Sequence, residues 1–423
     1  MSGHAGFFIA IRYLLGRAKE GGRYLRGAAT GIAVSLVPII VTLIVADGMI
    51  RGITDRYLEL GTGHVQVYDF AGDESLEEIK GAVAAQEGVR GAWIEWQGMG
   101  VLVGGKGKAG ASIRAVERDF WEDEGVSAFL EVVSGDARFE ADNEVFLGEA
   151  LAESIGVKAG DMARLMTVRI ADDGRSVPRM TPFVVKAVVS AGYREIDALW
   201  CITTYDAGKR IFAGSESASN SFLMLKINDP YKDADSSVRS LYALLGAGYG
   251  VYTWKEMQLA QYSSYESTRQ ILLFIMALIV IIATVNVSSA TSMLAIERRK
   301  DIAALKAAGA SPAFTSRIFV WAAFITGLIG AIAGIAAGLC IGLSINHVIR
   351  ALEAVINFFM FGSGAGQFKL LDPAYYLEHF PVIIDWLTIL IIGVFTVLCS
   401  IVASYLPARR AGRLKPLEIL RKL

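Results

Sequence analysis

Residues Glu297 to Pro312 read ERRKDIAALKAAGASP, a charged stretch lodged between two apolar runs, roughly Ile271 to Leu294 and Ile318 to Ile345. Each run is long enough to cross a bilayer, which takes about 20 apolar residues in a helix. A short polar turn would suffice to join them, yet this joint has a helical pattern. Ile296, Ile302, Leu305 and Ala308 mark an apolar side, and Arg298, Arg299, Lys300, Asp301 and Lys306 the polar ones. Gly309 is placed to stop that helix and Pro312 to bar its continuation. Two roles suit such a segment: an anchor lying on the inner leaflet, or a helix whose charged edge fits a groove in a cytoplasmic protein.

Two further runs, Ala28 to Met49 and Trp386 to Leu406, bring the expected spans to four. The first is too long for a signal-peptide core, lacks a small-residue cleavage site and follows a basic segment, so it reads as a retained helix. Fixed cations orient the chain. Arg12, Arg17, Lys19, Arg23 and Arg26 precede the first span. Arg298, Arg299, Lys300, Lys306 and Arg317 lie between the second and third, and Arg409, Arg410, Arg413, Lys415, Arg421 and Lys422 fill the tail. The third connection has only Arg350 and Lys369. Both termini are therefore expected in the cytoplasm, with the region after the first span outside.

The 423 residues are 53% hydrophobic and 20% charged, with mean hydropathy +0.44, which suits a membrane part joined to a large aqueous one. With 41 basic and 42 acidic residues, nothing draws the chain globally to nucleic acid. In the outer region, GHVQVYDF, SLEEIKGAVAAQEG and VRGAWIEW (63–96) read strand, helix, strand. SFLMLKIND, DADSSVRSLYALLGAG and YGVYTW (221–254) repeat that order. Between them, VFLGE, ARLMTVRI, PFVVKAVVS and the turn signal Asp173-Gly174 suggest a β-rich insertion.

The predicted fold class is thus an α-helical membrane protein with four transmembrane helices plus a large periplasmic α+β domain, a split βαβ subdomain carrying a β-rich insertion at about 105–220. Its expected divisions are a cytoplasmic segment 1–27, spans at 28–50, 271–295, 318–345 and 386–406, a periplasmic domain 51–270, a cytoplasmic helix 296–313, a periplasmic loop 346–385 and a tail 407–423.

Catalytic chemistry finds little support. GVLVGGKGK, Gly100 to Lys108, fits the spacing of a phosphate loop, but Gly107 stands where Ser or Thr must hold Mg²⁺, and the flanks read as a hairpin. Three cysteines and four scattered histidines offer neither a disulfide framework nor a metal site. Gly330, Gly334, Gly338 and Gly342 recur every four residues in the third span, a pattern that lets helix backbones approach closely. Asp47, near the outer end of the first span, is expected at the interface, with a proton-coupling role as the alternative.

ERRKDIAALKAAGAS resembles the coupling segment of the MacB/FtsX superfamily of ABC-transporter permeases, and the tail SYLPARRAGRLKPLEILR resembles that superfamily's ending. FFIAIRYLLGRAKE before the first span and YYLEHFPVIIDW before the fourth are similar to the lipoprotein-releasing Lol permeases, as is the order of one span, an outer domain and three spans. The resemblance implies a permease without catalytic residues or cofactors, multi-pass in a bacterial inner membrane. It pairs with a second copy or a related permease and is driven by a cytoplasmic ABC ATPase dimer that uses ATP and Mg²⁺. It also implies an ATPase-docking set, Glu297, Arg298, Lys300, Ile302, Leu305 and Lys306. A lipid cavity for the lipoprotein's acyl chains follows, with Val41, Ile44 and Val45 on the first span and Ile275, Leu278 and Ile279 on the second. A loop gripping a periplasmic lipoprotein carrier falls in MTVRIADDGRSVPRMTP, with Met166, Arg169, Arg175, Pro178 and Met180; a plain surface hairpin is the other reading. Beside lipoprotein release stand an exporter of peptides or drugs like MacB and a mechanical transmitter like FtsX that controls a cell-wall hydrolase.

Overall fold

The computed structural model describes residues 3–15, 21–70, 76–170, 175–212, 221–246, 248–360 and 381–413. The chain divides into two compact units, 1–49 with 264–368 and 380–423, and 50–263 with 369–379.

The first unit holds the four spans. Their helices run Gly21–Arg56, Leu259–Glu297, Pro312–Leu343 and Trp386–Gly412, the first two well past the apolar segments that announce them. The reason is local: apolar composition reports only the lipid-facing turns, whereas the hydrogen-bond ladder continues wherever the next residues tolerate it. Beyond Arg56 the first helix widens into a π-helical segment, Tyr57–Thr62, a form that concentrates at functional sites. The connection 346–385, expected as a loop, contains the helix Ile345–Met360. At the joint between spans two and three, a short helix Arg299–Ala307 ends before Gly309, whose φ of +90° only glycine adopts freely. Ser311 then caps the third span, its Oγ accepting from the Phe314 N–H at 3.1 Å, with Pro312 at the first helical position.

The glycine ladder is a packing device. Cβ atoms added at Gly330, Gly334, Gly338 and Gly342 would fall 2.5–2.9 Å from atoms of the first span, meeting Ile32, Leu36, Ile40 and Ile44 among others. Those four residues recur every four positions too, so one helix's ridge fills the groove left by the other's missing side chains. The ridge belongs to a core shared by all four spans.

The second unit carries a ten-stranded sheet. Its strands are β1 (Val65–Asp69), β2 (Val89–Val103), β3 (Lys108–Val116), β4 (Glu131–Gly135), β5 (Glu144–Gly148), β6 (Met162–Ile170), β7 (Ser176–Ser190), β8 (Trp200–Thr204), β9 (Ser221–Ile227) and β10 (Tyr249–Thr253). The two repeat units interleave as β10-β1-β9-β2, all antiparallel, which is the split βαβ, ferredoxin-like arrangement. Helices Leu76–Ala84 and Ala234–Leu245 bury Leu76, Ile79, Val83 and Leu241 against this sheet.

The β-rich insertion does more than extend the sheet. From the second half of β2 the pairing runs β2-β3-β8-β5-β7-β6 and returns to β2, closing a six-stranded barrel with β4 added on β7. Closure removes the edges that an open insertion would expose. The barrel is filled by Leu102, Ile113, Val145, Leu147, Leu165, Phe183, Val185 and the buried Cys201. GVLVGGKGK is the β2–β3 hairpin, with Val103 paired to Lys108 and the Gly104 N–H donating to the Gly107 carbonyl at 2.9 Å. It runs into a strand, so no phosphate loop exists there.

Candidate functional site: the coupling helix, the span faces and the hairpin

The helix Arg299–Ala307 is docked onto its own bundle. Ile302 and Ala303 are buried, and Leu305 packs into the cluster formed by Leu25, Leu294, Phe314 and Phe319. The Lys306 ammonium donates to the Gly412 carbonyl at 2.6 Å, close to the fourth span's end, where a cation meets the negative pole of the helix. Arg298 is held by Asp301 at 3.2 Å, and Glu297 is half-buried. Of the six residues expected to dock an ATPase, only Lys300 is exposed, while Ile302 and Leu305 are turned inward. The exposed face is Arg299, Lys300, Ala304, Ala307 and Ala308. Sequence reading missed Arg299 and Ala304 because an apolar stripe signals burial without saying against what; small Ala residues beside cations were the available clue.

The expected cavity residues divide as well. Ile275, Leu278 and Ile279 on the second span are 46%, 44% and 38% exposed, and Val41 and Val45 are partly so. Ile44 is buried, its Cδ1 lying where a Cβ on Gly342 would come within 2.5 Å, so it packs the first span against the third and does not line an open face. The exposed apolar face of the second span is longer than expected, taking in Ile271, Phe274, Ile282 and Val285.

Asp47 has a structural partner. The Arg269 guanidinium on the second span reaches Asp47 on the first at 2.9 Å and Asp385 at 2.7 Å. Asp385 caps the fourth span, accepting from the Thr388 N–H and hydroxyl. One cation thus staples three spans at the end far from the coupling helix.

The hairpin β6–β7 carries the expected carrier-contact residues in the register Met166 with Met180, Thr167 with Arg179, Val168 with Pro178 and Arg169 with Val177. Paired residues share a face, and successive pairs alternate. Ala163, Leu165, Thr167 and Phe183 face the barrel; Met162, Val168, Pro178, Met180 and Pro182 are exposed on the other side, beside half-buried Met166. Arg175 is exposed, while the turn signal Asp173-Gly174 lies outside the described residues. Flexible methionines on an exposed sheet face suit contact with a partner whose surface is not matched in detail.

Within this unit the π-helical segment Tyr57–Thr62 is held by a charged clamp. Lys226, wholly buried in β9, lies 3.0 Å from Glu59 and 2.6 Å from Asp123. His64 also contacts Glu59, and Arg114, paired with Glu95 at 2.6 Å, donates to the Leu60 carbonyl. Two residues of the π-helical segment are thereby fastened to the domain. No spacing in the sequence announces this, because the partners are far apart in the chain.

The MacB-like periplasmic core domain matches residues 27–239, and the FtsX-like permease C-terminal domain matches residues 273–416. Among curated relatives, the lipoprotein-releasing system transmembrane protein LolC of Xylella fastidiosa is 26% identical over 98% of each chain. LolE of Haemophilus influenzae is 24% identical, again over 98% of each. A solved structure, the periplasmic region of MacB from Actinobacillus actinomycetemcomitans, aligns at TM-score 0.32 and 16% identity over 49% of this chain and 95% of that one.

Proposed function

The chain belongs to the MacB/FtsX superfamily of ABC-transporter permeases, and from that premise we propose that it is a permease subunit that extracts lipoproteins from the inner membrane and passes them to a periplasmic carrier. The observation that carries this reading is the end-to-end match with LolC and LolE, covering the spans and the outer domain alike.

In this reading a separate cytoplasmic ATPase dimer docks on Lys300, Ala304 and Ala307, and two permeases, identical or related, stand side by side. The exposed stripe Ile275, Leu278 and Ile279, with Val41 and Val45, offers an apolar wall to the acyl chains. Each CH₂ held there gains about 0.8 kcal/mol, so expulsion needs coupled work. The methionine-bearing face of the β6–β7 hairpin, with Met166, Pro178 and Met180, receives the carrier.

The test is depletion of the protein followed by membrane fractionation of acylated lipoproteins. Outer-membrane lipoproteins stranded in the inner membrane, rescued by the native chain but not by a Lys300→Glu/Ala304→Glu variant, would support ATP-coupled release. Normal sorting on depletion would refute it and turn attention to export or hydrolase control, readings that the MacB-like core also suits.

A further inference from the structure

Where the second and fourth spans end, Ser292, Ile296, Arg299, Pro407 and Arg410 line a cavity of about 240 Å³. Both guanidinium groups are exposed, and among the described residues neither has an ion-pair partner, in contrast to Arg298 beside them. Two cations on one cavity wall present a concentrated positive charge to which an anion would be drawn. The rest of the wall is largely apolar, and Met293, Val402 and Leu406 are exposed within about two turns of the cavity along the same helices. A small soluble anion has no use for that apolar surface, whereas a lipid has.

We propose that this cavity binds the phosphate of an anionic phospholipid, with Arg299 and Arg410 as its two cations and Ile296 and Pro407 against the glycerol. Basic pockets between membrane helices take anionic headgroups in this manner. The site requires only that these helix ends lie at a bilayer surface. It is independent of the cargo, so a failure of the lipoprotein-release reading would leave it standing.

The full chain, purified in a neutral detergent, is titrated with phosphatidylglycerol, phosphatidylethanolamine or inorganic phosphate and read by native mass spectrometry. Phosphatidylglycerol should bind in preference to phosphatidylethanolamine. The Arg299→Gln/Arg410→Gln variant should bind it on the order of 10-fold more weakly. Arg317→Gln, an exposed cation on the third span outside the cavity, should bind as the native chain does. Ile296→Glu, which puts a carboxylate at the rim, should lose binding too and serves if the double variant folds poorly. Equal binding of the two lipids, or phosphatidylglycerol binding unchanged in both cavity variants, would overturn the proposal. Displacement of phosphatidylglycerol by inorganic phosphate at comparable concentration would make this a free-anion site and overturn it as well. So would a double variant that keeps the lipid but no longer co-purifies with an ATPase, because the arginines would then serve a protein contact.

Discussion

Replacing Gly334 tests whether the glycine ladder sets the distance between the first and third spans. A Cβ there would lie 2.8 Å from the Leu36 Cβ, 2.9 Å from the Ala33 carbonyl oxygen and 3.0 Å from the Ala33 Cα. Two of those atoms are backbone, so no rotamer change relieves the clash. To restore ordinary contact at 3.4 Å the first span must retreat by about 0.6 Å, which also loosens the seats of Ile32, Ile40 and Ile44. Overpacking of this kind costs about 1–3 kcal/mol, and Gly334→Leu should lie at or above the upper end. The control is Ala337→Leu, one turn on and exposed. Thermal unfolding of the full chain in detergent should show Gly334→Ala and Gly334→Leu melting progressively lower, the latter by on the order of 5 °C, with Ala337→Leu near the native midpoint. If Gly334→Leu melted with the native chain, or if Ala337→Leu fell as far, close helix approach would not be what the ladder is for.

The charged clamp and a buried carboxylate give two further tests. Lys226→Met removes the cation shared by Glu59 and Asp123, leaving Glu59 with His64 and Asp123 with the Gly125 and Val126 N–H groups as their remaining partners; the cost should be about 3 kcal/mol, seen as a lower denaturation midpoint and as earlier proteolysis. Near-native stability would mean that the carboxylates are hydrated in solution. Asp197 is buried, and burial pushes its carboxyl up to about 6 although the Ala191 N–H and the Ser190 hydroxyl donate to it. A raised carboxyl pKa means that the folded state holds the proton longer, so stability falls as pH rises from about 4 through 6. Asp197→Asn should remove that slope and match or exceed the native chain above pH 6, and an unchanged slope in the variant would refute the assignment.

What the sequence made legible follows from what a bilayer dictates locally. Lipid-facing turns must be apolar, so four spans could be read directly. The helix ends could not, because a polar extension such as Leu259 to Arg269 has no composition that separates helix from loop. The repeat at 63–96 and 221–254 was legible as strand, helix, strand, since each unit buries its own stripe. Barrel closure was not, because it joins Val101–Val103 to Arg164–Met166 across some sixty residues of chain. At the sites the division is similar. Gly330 to Gly342 announced close packing, but their occupants, Ile32 to Ile44, lie on another helix, and so Ile44 was expected in an open face. Ile302 was expected at a partner and is packed at home, because a two-sided helix shows its apolar stripe without naming the surface that covers it.

The short coupling helix and the staple at Arg269 are joined by one element. The second-span helix, Leu259–Glu297, has 39 residues and is about 58 Å long at 1.5 Å per residue. Only Arg298, with a non-helical ψ of 21°, separates it from the helix Arg299–Ala307. The third span cannot move independently of the first, since the ladder interlocks them along four successive turns. The second span has no such interlock: much of its surface is exposed and apolar, with buried contacts at Met276, Val280, Val287 and Ala290. In the proposed function, a push by an ATPase at Lys300 or Ala304 would be delivered to the helix least constrained by packing, and the Arg269 pairs with Asp47 and Asp385 would resist it at the far end. Arg269→Ala should lower that resistance, raising cross-linking between cysteines placed on the exposed Ile275 faces of two copies, although the loss of the Asp47 partner also lowers the melting midpoint. If Arg269→Ala destabilised the bundle as much as the ladder variant and left cross-linking unchanged, the staple would be part of the packing and would set no limit on the second span.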